Sequence, residues 1–259
     1  MEITQVRNAT IIVEYAGIKF LIDPWLGPKD YMEGFDAGIN SQIRQPRVDL
    51  PFAIEKIVDV DAVILTHYHA DHFDDYAVKA LDKNIKFFVQ SHQDFDIIKS
   101  YDFKNIEILT ENGNDYKNIK LYKTNCQHGK REIIKPLCEQ VGISYNSMGV
   151  IFRTDGEKTL YIAGDTIWCD EVKTAIINYM PDVIVVNACA ATVLNGERII
   201  MNIDDIEQIL KTSPNSTIIA SHMDTVSHLT VTRQDIKNYI HKNNIFNILI
   251  PEDGEKLKL

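Results

Sequence analysis

The amino-acid sequence predicts a layered α/β fold. Short apolar segments typical of strands alternate along the chain with longer segments that begin at helix-capping residues. Residues 62–65 are an unbroken apolar run, which is typical of a strand buried on both faces. No linker, low-complexity tract or repeat of about 20–50 residues interrupts the alternation. We therefore expect a single domain over residues 1–259, although this length also permits two small domains.

The N-terminal segment predicts three short strands, at residues 2–6, 9–15 and 18–22. Ala16-Gly17 is typical of a hairpin turn between the second strand and the third. The third strand is expected to end at Asp23-Pro24, because proline cannot continue a strand.

The remaining elements follow from capping residues and from the period of the apolar positions. Asp74 and Asp75 are interpreted as charges at a helix start, and His92 as a structural residue near a cap. Helices are expected at 73–82, after Ser91, at 170–179, at 203–211 and after Thr232, with Ser91, Asp170, Asn202 and Thr232 as caps. Strands are expected at 86–90, at 105–110 and 118–124 around the turn 112–114, and at 144–153, 158–163, 182–187, 216–220 and 245–250.

In two stretches of the chain, the apolar residues show no clear helical or strand period. Residues 130–143 are expected to be a charged connector. Residues 25–52 contain proline, glycine and the aromatic residues Trp25, Tyr31 and Phe35, which argue against disorder. A loop of this length within a compact domain is usually functional. We interpret it as a lip over a site that helps to select substrate, with simple packing on a sheet edge as the alternative.

Composition excludes several classes of protein. The net charge of −10 disfavours nucleic acid as the main partner, because such proteins need a basic track for the phosphates. No apolar run approaches the roughly 20 residues of a membrane span, and the N-terminus lacks a signal-peptide pattern. The four cysteines show no C-x-x-C spacing, so we expect reduced thiols in a cytoplasmic protein. Cys126 and Cys189 are interpreted as small buried hydrophobes rather than metal ligands.

The buried run at 62–65 leads into a dense group of side chains that bind metals. Within His67-Tyr-His69-Ala-Asp71-His72, three imidazoles and one carboxylate occur in six residues. His67 and His69 would point to the same side of an extended chain, whereas Asp71 and His72 follow after a turn. This arrangement suits two adjacent metal ions better than one. The alternative is a polar surface loop.

The same six residues match the H-x-H-x-D-H signature of the metallo-β-lactamase superfamily, which the chain resembles over its whole length. The resemblance implies a four-layer αββα sandwich, in which two mixed β-sheets are flanked by helices and the metals lie at one edge of the sheets. It also leaves two interpretations of Asp23 open, as a carboxylate that orients the metal-binding loop or as a simple turn residue before proline.

The remaining ligand candidates each follow a predicted strand. His128 precedes a glycine, Asp165 follows Gly164, and His222 follows an apolar strand. By resemblance, His67, His69 and His128 hold the first metal, Asp71, His72 and His222 hold the second, and Asp165 bridges them. Imidazole and carboxylate ligands suit two divalent ions, with Zn²⁺ preferred over Mn²⁺ or iron. Two such ions would activate water for hydrolysis.

Within the superfamily, the chain is similar to the group that contains ascorbate-6-phosphate lactonase and N-acylphosphatidylethanolamine-type phosphodiesterases. The residues that carry this likeness are 17–24, 160–166 and 222–228. It implies cleavage of an ester, lactone or phosphodiester bond in a small or lipid-like substrate. Asp71 would orient water or accept its proton, and His228 would act as an acid or hydrogen-bond donor towards substrate. A helix-approach role for His228 and a homo-oligomeric state are both left open.

Other members of the superfamily differ from this sequence. A glyoxalase-II-type thioesterase would need a helical, basic C-terminal domain, for which there is no spare length. A nuclease would need an inserted domain and a basic face. A flavodiiron-type oxidoreductase usually carries glutamate at the position of His69. A non-catalytic metal-binding or scaffold protein would be expected to have lost ligands, and none is missing here.

Overall fold

The computed structural model describes residues 1–141 and 144–259. These residues form two mixed, seven-stranded sheets. The strands are β1 (Glu2–Arg7), β2 (Thr10–Tyr15), β3 (Ile18–Ile22), β4 (Ala62–Ile64), β5 (Lys86–Val89), β6 (Asn105–Ile108), β7 (Asn114–Tyr116), β8 (Ile119–Asn125), β9 (Met148–Arg153), β10 (Leu160–Ile162), β11 (Val183–Asn187), β12 (Thr217–Ser221), β13 (Ile248–Leu249) and β14 (Lys256–Lys258). The helices are α1 (Ile54–Ile57), α2 (Asp75–Ala80), α3 (His92–Ser100), α4 (Arg131–Val141), α5 (Asp170–Tyr179), α6 (Ile203–Thr212) and α7 (Arg233–Asn243).

Each sheet combines antiparallel and parallel pairs. The first has the order β14-β1-β2-β3-β4-β5-β6, and the second has the order β13-β12-β11-β10-β9-β8-β7. Strands β3 to β6 run parallel in the first sheet, and strands β10 to β13 run parallel in the second. The two halves of the chain therefore repeat one arrangement.

Three apolar clusters produce the four layers. The cluster between the sheets includes Phe20 of β3 and Phe152 of β9, whose ring centroids are 5.1 Å apart. A second cluster packs α5, α6 and α7 on the outer face of the second sheet, and a third packs α2 and α3 on the first. Each buried side chain of this size contributes about 1.5–3 kcal/mol. The predicted four-layer αββα sandwich is confirmed.

The largest departure from the expected elements is α4, which replaces the connector predicted at 130–143; residues 142 and 143 lie outside the described part of the chain. Pro136 argues against a helix because it lacks an N–H donor. Ile134 and Cys138, one turn apart, are buried against Tyr145 and Val193. Burial of this stripe outweighs the cost of the proline.

Smaller differences concern sheet assignment and caps. Strands β6 and β8 were expected to flank one turn, but they lie in different sheets, and β7 rather than β6 pairs with β8. Asp170 is the first residue of α5 rather than its cap, which is Cys169. The predicted caps Asn202 and Thr232 are confirmed, and each takes part in a complete capping box. In the described ranges, no helix is both long and apolar enough to cross a membrane.

The two sheets meet at one end through backbone hydrogen bonds. Met148 N–H donates to Thr66 C=O over 3.2 Å, and His222 N–H donates to Asn8 C=O over 2.9 Å. The first bond joins the segment after β4 to the start of β9, and the second joins the β1–β2 turn to the end of β12. This edge brings together the chain segments that follow β4, β10 and β12. The expectation of a single domain over residues 1–259 stays a prediction.

Candidate metal centre

The motif after β4 forms a tight turn that directs its histidines inward. His72 and Phe73 both donate their backbone N–H to His69 C=O over 3.0 Å. His67 Nε2 and His69 Nδ1 lie 3.0 Å apart, so these two rings face one point. His67 and His72 are fully buried. The expected placement of the two histidines on one side of the chain is therefore observed.

The later parts of the chain supply the other candidates. His128 follows β8, Asp165 follows β10 and His222 follows β12. Side-chain ligand atoms lie within 4.8 Å of one another in three groups, which are His67–His69–His128, His67–His72–Asp165 and Asp71–His72–His222. The structure thus brings together all seven of the residues expected to bind metal.

Asp165 lies at the middle of this cluster. Its Oδ2 atom is 3.2 Å from His72 Nε2, 3.8 Å from His67 Nε2 and 3.8 Å from His128 Nε2. Its Oδ1 atom is 4.0 Å from His222 Nε2. Burial acts in the opposite direction, but the imidazoles of His72 and His222 lower the pKa of Asp165 well below its usual value. An ionised carboxylate in this place can contact both triads.

The outward nitrogen of each ligand histidine contacts another protein group. Two of these groups are backbone carbonyls, which can only accept, so His69 Nε2 and His128 Nδ1 must carry hydrogen. Their inward nitrogens are then bare lone pairs, as a metal ligand requires. The five contacts are His67 Nδ1 with Thr66 Oγ1 (3.1 Å), His69 Nε2 with Ser144 O (2.9 Å), His72 Nδ1 with Asp23 Oδ2 (2.9 Å), His128 Nδ1 with Ile199 O (2.9 Å) and His222 Nδ1 with Cys189 Sγ (3.6 Å).

The pKa values of the clustered histidines are compatible with binding of cations. Burial and the neighbouring His128 lower the pKa of His69 to about 4, so its ring is neutral at pH 7. Burial alone would lower the pKa of His72. The carboxylates of Asp165 and Asp23 outweigh burial and raise this pKa above its usual value, to about 10. His72 Nε2 is buried and faces Asp165 Oδ2 at 3.2 Å. A field that favours positive charge at this nitrogen fits a cation, which would displace the proton.

Asp23 contacts the metal-binding loop, as one of its two interpretations expected. One carboxylate oxygen accepts from Thr66 N–H over 2.7 Å, and the other accepts from Thr66 Oγ1 over 2.7 Å and contacts His72 Nδ1. Asp23 is buried and its φ is +46°, so Asp23 also forms a turn before Pro24. Both interpretations of this residue therefore hold.

Several groups around the centre had no place in the sequence analysis. Asn187, at the end of β11, donates to Asp165 Oδ1 over 2.6 Å, and Asn8 contacts both Asp71 and His222. Asn187 could have been found from the sequence, because it is a polar residue at the end of the apolar run of β11. The backbone carbonyls of Ser144 and Ile199 could not, because every residue has a backbone carbonyl. Cys126 and Cys189 are buried beside the centre but belong to none of the three groups, in line with their expected role.

A cavity of about 960 Å³ opens above the cluster. Residues 31–38 of the long loop form part of its wall, which supports the interpretation of that loop as a lip over the site. Further apolar walls come from Ile134, Leu137 and Cys138 of α4 and from Val193 and Ile199.

His228 lies in the same wall. Its ring packs edge-on against Phe35 with centroids 5.3 Å apart, and a side chain at Gly38 would come within 2.9 Å of its Cβ. Burial lowers the pKa of His228 to about 4, so its ring is neutral at pH 7. Nδ1 has no hydrogen-bond partner in the described part of the chain. These features favour a hydrogen-bonding role for His228 over that of a charged acid.

Known proteins share this sequence and architecture. A family model described as a beta-lactamase superfamily domain matches residues 19–223. The UPF0173 protein YddR of Bacillus subtilis is 42% identical over 257 residues, 98% of each chain. A crystal structure of isothiocyanate hydrolase from Delia radicum gut bacteria superposes with a TM-score of 0.95 at 38% identity, over 100% of this chain and 99% of that one. A possible metal-dependent hydrolase from Veillonella parvula gives a TM-score of 0.96 at 38% identity with the same coverage. The chain therefore belongs to the metallo-β-lactamase superfamily and is one of its metal-dependent hydrolases.

Proposed function

We propose that the chain hydrolyses a small uncharged electrophile at a centre of two divalent cations. The observation that carries the proposal is the meeting of two ligand triads around one shared carboxylate beneath an apolar cavity. His67, His69 and His128 would hold one cation, Asp71, His72 and His222 the other, and Asp165 would contact both. Zn²⁺ suits this donor set, with Mn²⁺ or iron as alternatives. When bound, such a pair of cations supplies an acidified water and polarises the electrophile.

The chain's own groups would orient the reactants. Asp71 Oδ2 lies 3.3 Å from His222 Nε2 and 3.9 Å from His72 Nε2. Asp71 also borders the cavity, so its carboxylate can orient water or accept its proton. His228, neutral and facing the same cavity, would donate a hydrogen bond to the substrate. The wall formed by residues 31–38 would exclude bulk water from the reacting groups.

The lining of the cavity favours uncharged substrates. Lys79 is the single lysine or arginine among the described residues that line it, whereas acids at positions 71, 74, 75, 94 and 165 all border it. Apart from the cations, this lining has little positive charge to pair with the anionic group of a phosphodiester. Its apolar side chains would instead contact an apolar substituent of the substrate. Of the bonds that the sequence analysis left open, an ester or lactone therefore fits better than a phosphodiester.

An organic isothiocyanate is the first substrate to test. It is neutral, it carries an apolar substituent, and isothiocyanate hydrolase is the activity of a structural neighbour with 38% identity. Addition of water across N=C=S would place oxygen on the central carbon and protons on nitrogen. Cleavage of the carbon–nitrogen bond would then release an amine and carbonyl sulfide, which balances the reaction without an oxidant or reductant.

A substrate panel tests the proposal. Zinc-loaded protein is offered benzyl isothiocyanate, a lactone, a thioester and bis(4-nitrophenyl) phosphate, and release of amine, acid, thiol or nitrophenol is followed. We expect kcat/KM for the isothiocyanate to exceed that for the phosphodiester by at least about tenfold. Faster turnover of the phosphodiester would refute the substrate class. Faster turnover of the thioester would favour a glyoxalase-II-type enzyme instead.

The His228→Ala variant is expected to keep its metal and lose turnover. His228 belongs to none of the ligand groups, so metal content measured by elemental analysis should not change. Loss of one aimed hydrogen-bond donor should lower kcat by about 10–100-fold. His92→Ala, an exposed residue at the start of α3, is the matched control and should match the wild type. Loss of metal from the His228 variant would instead make His228 a ligand.

A further inference from the structure

Gln45 is a polar residue of the lip (residues 25–52), and it is fully buried. Its backbone pairs with Met32 in both directions. Met32 N–H donates to Gln45 C=O over 3.0 Å, and Gln45 N–H donates to Met32 C=O over 2.9 Å. Gln45 is therefore bonded to the part of the lip that borders the cavity. A buried side-chain amide in this place is costly unless both of its ends are paired.

Both ends of the Gln45 amide are paired, and the two partners permit only one orientation. Its Oε1 atom accepts from Ser227 N–H over 3.0 Å, and its Nε2 atom donates to Glu33 C=O over 3.3 Å. An N–H group only donates and a carbonyl only accepts, so exchange of the amide oxygen and nitrogen would break both hydrogen bonds. The amide thus ties the lip to the backbone of the turn that contains Ser227 in one defined arrangement.

His228 directly follows the residue whose N–H Gln45 binds. The His228 carbonyl accepts from Thr192 N–H over 2.9 Å, whereas Nδ1 of its ring has no hydrogen-bond partner among the described residues. The lip also packs against this residue, because the Phe35 ring lies edge-on to the imidazole and Gly38 approaches its Cβ atom. The direction of the imidazole therefore depends on the backbone of its turn and on contact with the lip.

Gln45 has no direct access to a substrate. The described residues that line the cavity include His228 but not Gln45. Any effect of the Gln45 amide on turnover must therefore pass through another residue. Its hydrogen bond to Ser227 N–H leads to His228, the next residue along the chain.

We propose that Gln45 is a positioning residue, which holds the turn before His228 so that the imidazole faces the cavity and can donate to the substrate. This inference rests on the role proposed for His228 in the hydrolase. It gives the lip a second task besides covering the site, which is to align a hydrogen-bond donor. The structural basis is a buried amide that joins the lip to the backbone immediately before His228.

A double-mutant cycle of Gln45→Met and His228→Ala tests the proposal. Methionine is similar in size to glutamine, but it has no amide to pair with Ser227 N–H and Glu33 C=O. With zinc-loaded protein and benzyl isothiocyanate, or the member of the panel that the wild type hydrolyses faster, Gln45→Met should lower kcat roughly three- to tenfold. KM should change less than about twofold, because the lost interaction belongs to the transition state.

The same substitution should have almost no effect once the imidazole is gone. In the His228→Ala background, Gln45→Met should change kcat less than about twofold, because no ring remains to be misplaced. Gln42→Met is the matched control, since Gln42 is an exposed residue of the same loop outside the described lining of the cavity. It should match the wild type. Zinc content by elemental analysis and the circular dichroism spectrum should be the same in all variants.

A second substitution covers the case in which Gln45→Met does not fold. Gln45→Asn keeps a polar amide in the buried position, but its side chain is one methylene shorter and cannot reach both partners. The same loss of kcat is expected in the wild-type background, and the same absence of a further loss is expected beside His228→Ala.

The outcomes separate this inference from the function on which it rests. An equal loss of kcat from Gln45→Met in both backgrounds would overturn the role of Gln45, because the effect would not pass through the imidazole. A higher KM at unchanged kcat would overturn it too, since the lip would then act only as a wall, and so would a loss of zinc. A His228→Ala variant with the kcat and KM of the wild type would instead overturn the role of His228 itself.

Discussion

The Asp165→Asn variant is expected to lose bound metal and hydrolase activity together. Among the described residues, Asp165 is the one carboxylate close to both triads, with Oδ2 3.2 Å from His72 Nε2 and 3.8 Å from His67 Nε2. The amide has the same shape but no charge. In one orientation its NH₂ group would also oppose Asn187, whose Nδ2 now donates to Oδ1 over 2.6 Å. We expect kcat/KM to fall by about three orders of magnitude, or about 4 kcal/mol.

Metal content by elemental analysis and kcat/KM on the same preparation measure this effect. Asp155→Asn, in the exposed turn between β9 and β10, is the control for the chemical change and should match the wild type. Circular dichroism separates loss of metal from loss of fold. A variant that kept both its metal and its activity would show that Asp165 does not bridge.

Removal of the metal should abolish activity and lower thermal stability, and zinc should restore both. Five imidazoles and two carboxylates are drawn together here at the expense of their hydration. A cation present at about 1,000 times its dissociation constant stabilises the folded state by about 4 kcal/mol. For a domain of this size, that corresponds to a rise in melting temperature of about 8–16 °C.

Calorimetry before and after dialysis against a chelator measures this shift. Magnesium is the control, because a set of imidazole ligands does not suit it, and it should restore neither stability nor activity. Asp165→Asn should show a much smaller shift. An unchanged melting temperature in wild-type protein stripped of metal would argue against a cation in this cluster.

The position of each ligand along the chain could be read from the sequence. The pattern from His67 to His72 places ligand-type side chains after a buried strand, and His128, Asp165 and His222 repeat that placement. Strands of this kind end at one edge of a sheet, so the residues that follow them are expected to lie close together. In the structure, side-chain atoms of these residues lie within 4.8 Å of one another in each of three groups.

Helix α4 shows where local signals fail. Pro136 and the charged residues around it favour a connector, and no capping pattern opposes that interpretation. The helix forms because Ile134 and Cys138 are buried by residues far along the chain, such as Val193. Tertiary burial is not visible in a short sequence window.

The sequence by itself determined the fold class, the family and the seven ligand-type side chains, because each depends on local pattern and residue type. Only the tertiary structure decided which groups surround those ligands. The carbonyls of Ser144 and Ile199, the amide of Asn8 and the thiol of Cys189 all contact ligand histidines distant in sequence. Such contacts depend on how two sheets meet, and a backbone carbonyl carries no residue-specific signal. The sequence therefore indicates which residues would hold metal ions, whereas the packing of the sheets determines which groups contact those residues.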